Sequence, residues 1–471
     1  MKHKRNLLKI LQFLIVISIS FGLAAEVKRF TKTQVLSDFE ILYQSVIASH
    51  YQPYAYISQE QLAHTYEHIK MQLTAADYSL LETVKYYQQF VAAIKNGHTE
   101  IDFPVASYLH YAEHGGTLFP LDLAFESGKA LVRANYASNV NIAIGSELVA
   151  INGQPITEIL DTITPYISAE RRYFKLAKLE LLSFPRYYWL VAGQQHQYTV
   201  TLRTRNGTEQ HTLSGVKVFS GFEEKKDEIL RAQKTLRFYD STAYLNPGHF
   251  AGDEQAYQTF IDQAFTAIKK RNMTKLIIDL RYNSGGNNSF SDHLVAYLAD
   301  KPFKWYSSFQ LRSSAPLKHD TKKNRNLNDP YWQAVLTTAN GKRYKYDFNY
   351  QQPVAKERRF TGQVYVLINR HSYSQASVTA AQIKDYGWGV MVGEETADYP
   401  SLYASQFHYV LPNTELKVKI AKGYIVRVNG SEAQHGVKPD IPIRDHLLDQ
   451  EDEILSGLLQ QLGEDQAAIK Q

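Results

Sequence analysis

The chain contains no cysteine. That absence excludes a disulfide scaffold, a thiolate nucleophile and any cysteine-ligated zinc or iron–sulfur site. Charge of one sign is also scarce: 52 Lys and Arg stand against 47 Asp and Glu, a net +5 spread along the chain. A phosphate-binding surface needs a dense basic face, so no nucleic-acid partner is expected. Neither a phosphate-loop GxxxxGK[ST] pattern nor an HExxH zinc pattern occurs, and no metal or cofactor is expected. After the first 25 residues no run is long and apolar enough to span a bilayer.

What is present is ordinary globular material, with 44% hydrophobic and 21% charged residues. The 471 residues suggest two to four domains. Tyr (33) and Phe (22) supply most of the aromatic content, enough for ample cores and apolar grooves. Residues 1–25 differ from the rest. Lys2, Lys4 and Arg5 precede an apolar stretch, Leu7 to Ala25, that closes on Gly22-Leu23-Ala24-Ala25. This reads as a signal peptide or a membrane anchor. The expected location is therefore outside the cytoplasm, periplasmic or extracellular, with membrane contact only through an uncleaved segment.

Residues 26–115 are expected to form a helical domain. Leu36, Phe39, Leu42, Tyr43 and Val46, then Leu80, Leu81, Val84, Tyr87 and Phe90, recur at helical spacing. Asp77 or Ser79 is the expected cap of the latter helix, with Glu82 three residues after Ser79 completing a capping-box pattern. Residues 116–204 carry short strand-like runs, Leu118–Phe125, Ala130–Arg133, Glu147–Ile151 and Gln197–Arg203, with Asn152-Gly153 as a hairpin turn. With Ala143-Ile144-Gly145-Ser146 before the turn, this block resembles a PDZ domain, which implies capture of a chain terminus as an added strand. A generic β-hairpin module is the alternative. Residues 205–445 are assigned to an α/β core with a mostly parallel sheet, because 235–445 alternate strands and helices. Within them, 312–360 is polar and reads as a surface insertion of lid or binding-loop type. Residues 446–471 are left as a C-terminal helix or tail.

Three segments carry chemistry. Asn283-Ser284-Gly285-Gly286-Asn287 follows the buried-type strand Leu276–Leu280. Paired glycines there expose backbone N–H groups to a ligand, as an oxyanion hole requires, or simply make a tight turn. Arg370-His371-Ser372-Tyr373-Ser374-Gln375-Ala376-Ser377 joins the strand Val364–Ile368 to a helix. A Ser at that junction lies at the carboxyl end of the sheet, beside free N–H donors of a helix start. It is either a nucleophile or a helix cap. Gly97-His98-Thr99-Glu100 ends the N-terminal helices, and His98 is one of 16 His.

Taken in order, these pieces resemble the C-terminal-processing, or tail-specific, serine peptidases, the family that includes the core of tricorn protease. The matching runs are Gly97-His98-Thr99, the PDZ-like block, Asp279 to Gly286, Val366-Leu367-Ile368 leading into Ser374, Tyr386-Gly387, Val392 to Thr396, and Gly436-Val437-Lys438-Pro439-Asp440. The resemblance implies Ser374 as nucleophile, over Ser372 and Ser377, with Gln375 and Gly285 or Gly286 as oxyanion donors. Tyr399 stands where one branch has a Lys base, so the resemblance to the tricorn-like branch implies His98 as base and Glu432 as the third member. Gly97 stands where that branch has a Ser. His371 and His435 are rival bases. The implied protein is an exported serine endopeptidase with polypeptide substrates. The alternatives are a non-catalytic binder on the same scaffold and a hydrolase of small esters or amides.

Overall fold

The computed structural model describes residues 28–226 and 232–464; the leader-like segment 1–25 lies outside the described residues. Three helices, Lys32–Ser49, Gln59–Gln72 and Leu80–Ala93, begin the described chain, each opened by a reciprocal capping box. The last of these is the expected Ser79–Glu82 pair. Such boxes satisfy two N–H groups that a helix start otherwise leaves without partners. The apolar stripes then meet in one core, with Phe39 stacked on Tyr87 and Tyr66.

The next unit is an antiparallel sheet of Leu121–Glu126, Lys129–Asn135, Glu147–Ile151, Gln197–Thr204 and Gly207–Ser214. Helices Ile156–Ile163, Arg172–Leu182 and Phe184–Ala192 pack against it. The Asn152-Gly153 turn forms as expected: both residues have positive φ, and Ile151 pairs with Gln154. The strand after position 204 was not legible in the sequence. Gly207–Ser214 is polar and mostly exposed, so its pairing with Gln197–Thr204 rests on backbone bonds rather than on an apolar pattern.

The remaining chain holds two sheets. One has six strands in the order Thr235–Phe238, Thr242–Asn246, Lys275–Asp279, Gln363–Ile368, Val390–Gly393 and Ile441–Pro442. Only its first junction is antiparallel. The other joins Arg343–Lys345, Ser308–Arg312, Lys417–Val426 and Leu402–Val410, with Glu100–Ile101 at its side, and is wholly antiparallel. The expectation of a mostly parallel sheet is therefore corrected: it describes one sheet, and across the chain antiparallel pairing prevails. Long β-branched and aromatic runs such as Lys417–Val426 make hairpins without intervening helices, and antiparallel strands need no crossover.

The polar stretch 312–360 is likewise not a loose lid. Helices Ala315–Asn324 and Pro330–Thr337 bury Leu317 and Val335 in the N-terminal helical core. A buried ion cluster locks the second unit to the six-stranded sheet. Glu180 accepts from Arg370 Nε at 2.8 Å and from the Phe125 N–H at 2.7 Å, and its Oε2 lies 2.8 Å from His371 Nε2.

Candidate active site

Ser374 is the hinge between the strand Gln363–Ile368 and the helix Gln375–Tyr386. Its backbone sits at φ 56, ψ −125, a conformation that L side chains rarely adopt. Such a conformation costs on the order of 1–3 kcal/mol and persists only where the surroundings impose it. Here Asp398 Oδ2 accepts the Ser374 N–H at 2.8 Å, and the Ser374 carbonyl accepts from Val378 N–H in the first helical turn. The hydroxyl makes no capping bond, so the plain reading of Ser374 as a helix cap does not hold.

The neighbouring serines are engaged. Ser372 is buried, donates to the Leu280 carbonyl at 2.9 Å and accepts from the Asn369 N–H. Ser377 is buried against Thr396 and the Asp398 carbonyl. Ser374 alone of the three is half-buried, with a hydroxyl that has no partner among the described residues.

The glycine pair meets this junction directly. A Cβ on Gly285 would lie 2.6 Å from Gln375 N and 2.7 Å from Ser374 Cβ, and φ there is +80°. Asn283 fastens the two loops, accepting the Tyr373 N–H on its carbonyl and the Gly285 N–H on Oδ1 at 2.8 Å. That last bond removes Gly285 as a free donor and leaves it the role of close approach. The N–H groups of Gly286 and Gln375 have no acceptor among the described residues. Two unengaged donors beside a free hydroxyl are what an oxyanion site needs.

His98 lies in the turn after the helix Leu80–Ala93, buried, with its ring stacked on Tyr373 at 4.8 Å. Tyr373 Oη and Lys178 Nζ both donate to the Gly97 carbonyl at 2.8 Å. Neither ring nitrogen of His98 has a hydrogen-bond partner among the described residues. The structure thus brings His98 to the residue adjoining Ser374 but not into a bond with its hydroxyl. Burial, and then the Lys178 charge, push the imidazole down to about 3, so it is neutral at physiological pH. Gly97 is explained by space: a Cβ there would come within 2.6 Å of the Phe174 ring.

Glu432 is not at His98. It is exposed and accepts from Tyr424 Oη at 2.8 Å, on the wall of a polar cavity that also contains Tyr56 and Tyr399. His371 is tied to Glu180, His435 faces the Gly436 carbonyl, and Lys384 pairs with Asp440.

Two carboxyl groups that sequence reasoning missed do reach the two loops. Glu170 accepts the Gly97 N–H and Asn96 Nδ2, both at 2.9 Å, and Asp398 accepts the N–H groups of Ser374 and Tyr399. Both side chains are held above the usual carboxylate range, first by burial; for Asp398 the charge of Glu170 adds to it. Asp398 stands one residue before Tyr399, where a Lys base was sought, so its signal was at hand. Glu170 belongs to no motif.

The buried imidazoles make one pH dependence. Burial lowers His50 to about 4 as well as His98 to about 3, against roughly 6.5 in an unfolded chain. Below about pH 6.5 the unfolded chain therefore binds protons that the fold refuses, and stability falls as pH drops toward the folded values. Each group should cost roughly 2 kcal/mol between pH 6.5 and 5. Raised carboxyl groups such as Asp398 and Glu170 act in the opposite sense, so the expected result is a difference: from pH 7 to 5 the unfolding midpoint of His98→Gln should lose less, or gain more, than that of the wild-type protein. An identical change in the two proteins over this range would contradict the neutral burial of His98.

Comparison with known proteins bears on this arrangement. No curated protein matches the chain. Mature CPAF is similar in structure, with a TM-score of 0.65 and 15% identity over 92% of this chain and 96% of that one. Mature CPAF complexed with lactacystin gives a TM-score of 0.63 at 15% identity, over 92% and 97%. At such identity the likeness is one of fold. Within the chain, residues 241–443, the stretch that contains Ser374, Gly285, Gly286 and Asp398, match the sequence model of peptidase family S41.

Proposed function

We propose that the protein is a serine endopeptidase that hydrolyses polypeptides, with Ser374 as nucleophile. The observation that carries this reading is the hydroxyl of Ser374, free among the described residues, on a strained strand–helix junction that lies against the Gly285 turn. The match of residues 241–443 to a peptidase family supports it. In this reading Ser374 Oγ attacks the scissile carbonyl, and the N–H groups of Gly286 and Gln375 receive the oxyanion. His98, neutral and unpartnered, takes the Ser374 proton and returns it to the leaving amine. To do so its ring must leave the face of Tyr373, so substrate binding is coupled to a rearrangement of the His98 turn. Asp398 and Glu170 hold the two loops and are positioning residues.

We further propose export, on the basis of residues 1–25, and recognition of chain tails by strand addition to the second unit. Its edge strand Gly207–Ser214 is largely exposed and pairs on one side with Gln197–Thr204. A second reading, a binder without turnover, is favoured by one observation, the missing bond between His98 and Ser374. Incubation with an unfolded polypeptide, combined with fluorophosphonate labelling, separates the two. Cleavage with the label mapped to Ser374 is the expected result. Binding without cleavage or label would establish the second reading, and turnover of chromogenic esters alone would indicate a small-ester hydrolase.

A further inference from the structure

A cavity of about 260 Å³ opens beside the candidate site, between the N-terminal helices, the helices of the second unit and the two catalytic loops. Its wall toward the site is made by Ser284 and Tyr373. These residues directly precede Gly285 and Ser374, which lie against one another. Its lining is mainly apolar, with Phe103, Phe174, Leu182 and Leu190 among the side chains. Leu182 is only half-buried, so part of its surface faces open space.

Charge is present at this cavity but is already paired. Lys178 lies 3.3 Å from Glu100, and Lys419 lies 2.5 Å from Asp102 and 3.4 Å from Glu100. Burial alone would raise Glu100, yet Lys178 and Lys419 hold it below the usual carboxylate range. Two cations thus face two carboxylates, and the lining carries no net charge with which to select a charged guest. A charged side chain entering here would leave water without gaining a free counter-ion, which is costly. An apolar side chain would instead bury its surface against the aromatic and leucine walls, at about 25 cal/mol per Å².

We infer that this cavity is the subsite for a large apolar side chain flanking the scissile bond of a polypeptide substrate. The inference rests on the peptidase reading of Ser374. It adds that the substrate class is set by contacts from three parts of the chain: the segment after the first helical core (Phe103), the second unit (Phe174, Leu182, Leu190) and the loops before Gly285 and Ser374. It also assigns a second role to Tyr373, which forms one wall of the cavity and stacks on His98. A guest in the cavity therefore touches the ring that covers the candidate base.

The test is digestion of a mixed peptide library by the full chain, with the cut positions read by mass spectrometry. Peptides carrying Leu, Met or Phe beside the cut should exceed those carrying Asp, Glu, Lys or Gly by about tenfold or more in kcat/KM, the scale of discrimination an apolar pocket provides. Leu182→Trp, which fills the cavity, should lower the ratio of Leu-flanked to Ala-flanked cleavage by a similar factor. Cleavage without apolar preference, or an unchanged ratio in a folded Leu182→Trp protein, would overturn the subsite and leave the peptidase reading intact. No cleavage of any library member by the wild-type protein would overturn both.

Discussion

Ser374→Ala should abolish polypeptide cleavage, by about 10⁴-fold or more in kcat, while leaving the thermal unfolding midpoint unchanged within a degree or two. The reason is local. The hydroxyl caps no helix N–H and has no hydrogen bond among the described residues, so its loss removes no contact seen there. The strained backbone already carries a Cβ, and alanine keeps it. The bond from the Ser374 N–H to Asp398 is a main-chain bond and survives the substitution. Ser372→Ala makes the contrasting control. It deletes the bonds to Leu280 and Asn369, so it should cost stability of roughly 1 kcal/mol or more without removing the chemistry. A Ser374→Ala protein with a tenth or more of wild-type activity would end the assignment, and inactivity of Ser372→Ala with an intact fold would move it two residues upstream.

Gly285→Ala should be nearly as damaging and for a different reason. The added methyl would meet Gln375 N at 2.6 Å, Ser374 Cβ at 2.7 Å and the Tyr373 carbonyl at 2.8 Å. None of the three is the yielding end of a flexible side chain, and two are backbone atoms of the nucleophile loop. The φ of +80° adds its own penalty for any residue with a Cβ. Relief can come only by separating the glycine turn from the Ser374 elbow, which moves the donors away from the attacking oxygen. Loss of oxyanion donors costs about 10²–10³ in kcat, and forced overpacking costs about 1–3 kcal/mol in stability. Gly153→Ala, at a positive φ with nothing within 4 Å, is the control for the backbone penalty alone. Steady-state kinetics and thermal unfolding of the two variants measure both effects. Near-normal kcat in Gly285→Ala would show that the two loops are not locked together.

How much of this was legible beforehand depended on the range of the interactions. The capping box at Ser79, the Asn152-Gly153 turn and the strand before Ser374 are set by residues a few positions apart, and each formed where the local pattern placed it. The strand Gly207–Ser214 and the helices within 312–360 lacked such a pattern. Their apolar positions are few, and their places are fixed by partners that lie elsewhere in the chain.

The candidate site divides in the same way. By itself the sequence determined that a serine would stand at a strand–helix junction and that two glycines would follow a parallel strand, because both depend on short runs with strong backbone preferences. It also determined that no thiol takes part. Only the tertiary structure decided which serine hydroxyl is free, since Ser372 and Ser377 are occupied by groups from distant segments. It alone withdrew the Gly285 N–H as a donor, and it set Glu432 against Tyr424 rather than His98. It alone brought Glu170 to the His98 turn and Asp398 to the Ser374 elbow. The bonds that engage Ser372, Glu170 and Asp398 span 92, 73 and 24 positions, and no local periodicity records which buried carboxyl group will meet which N–H.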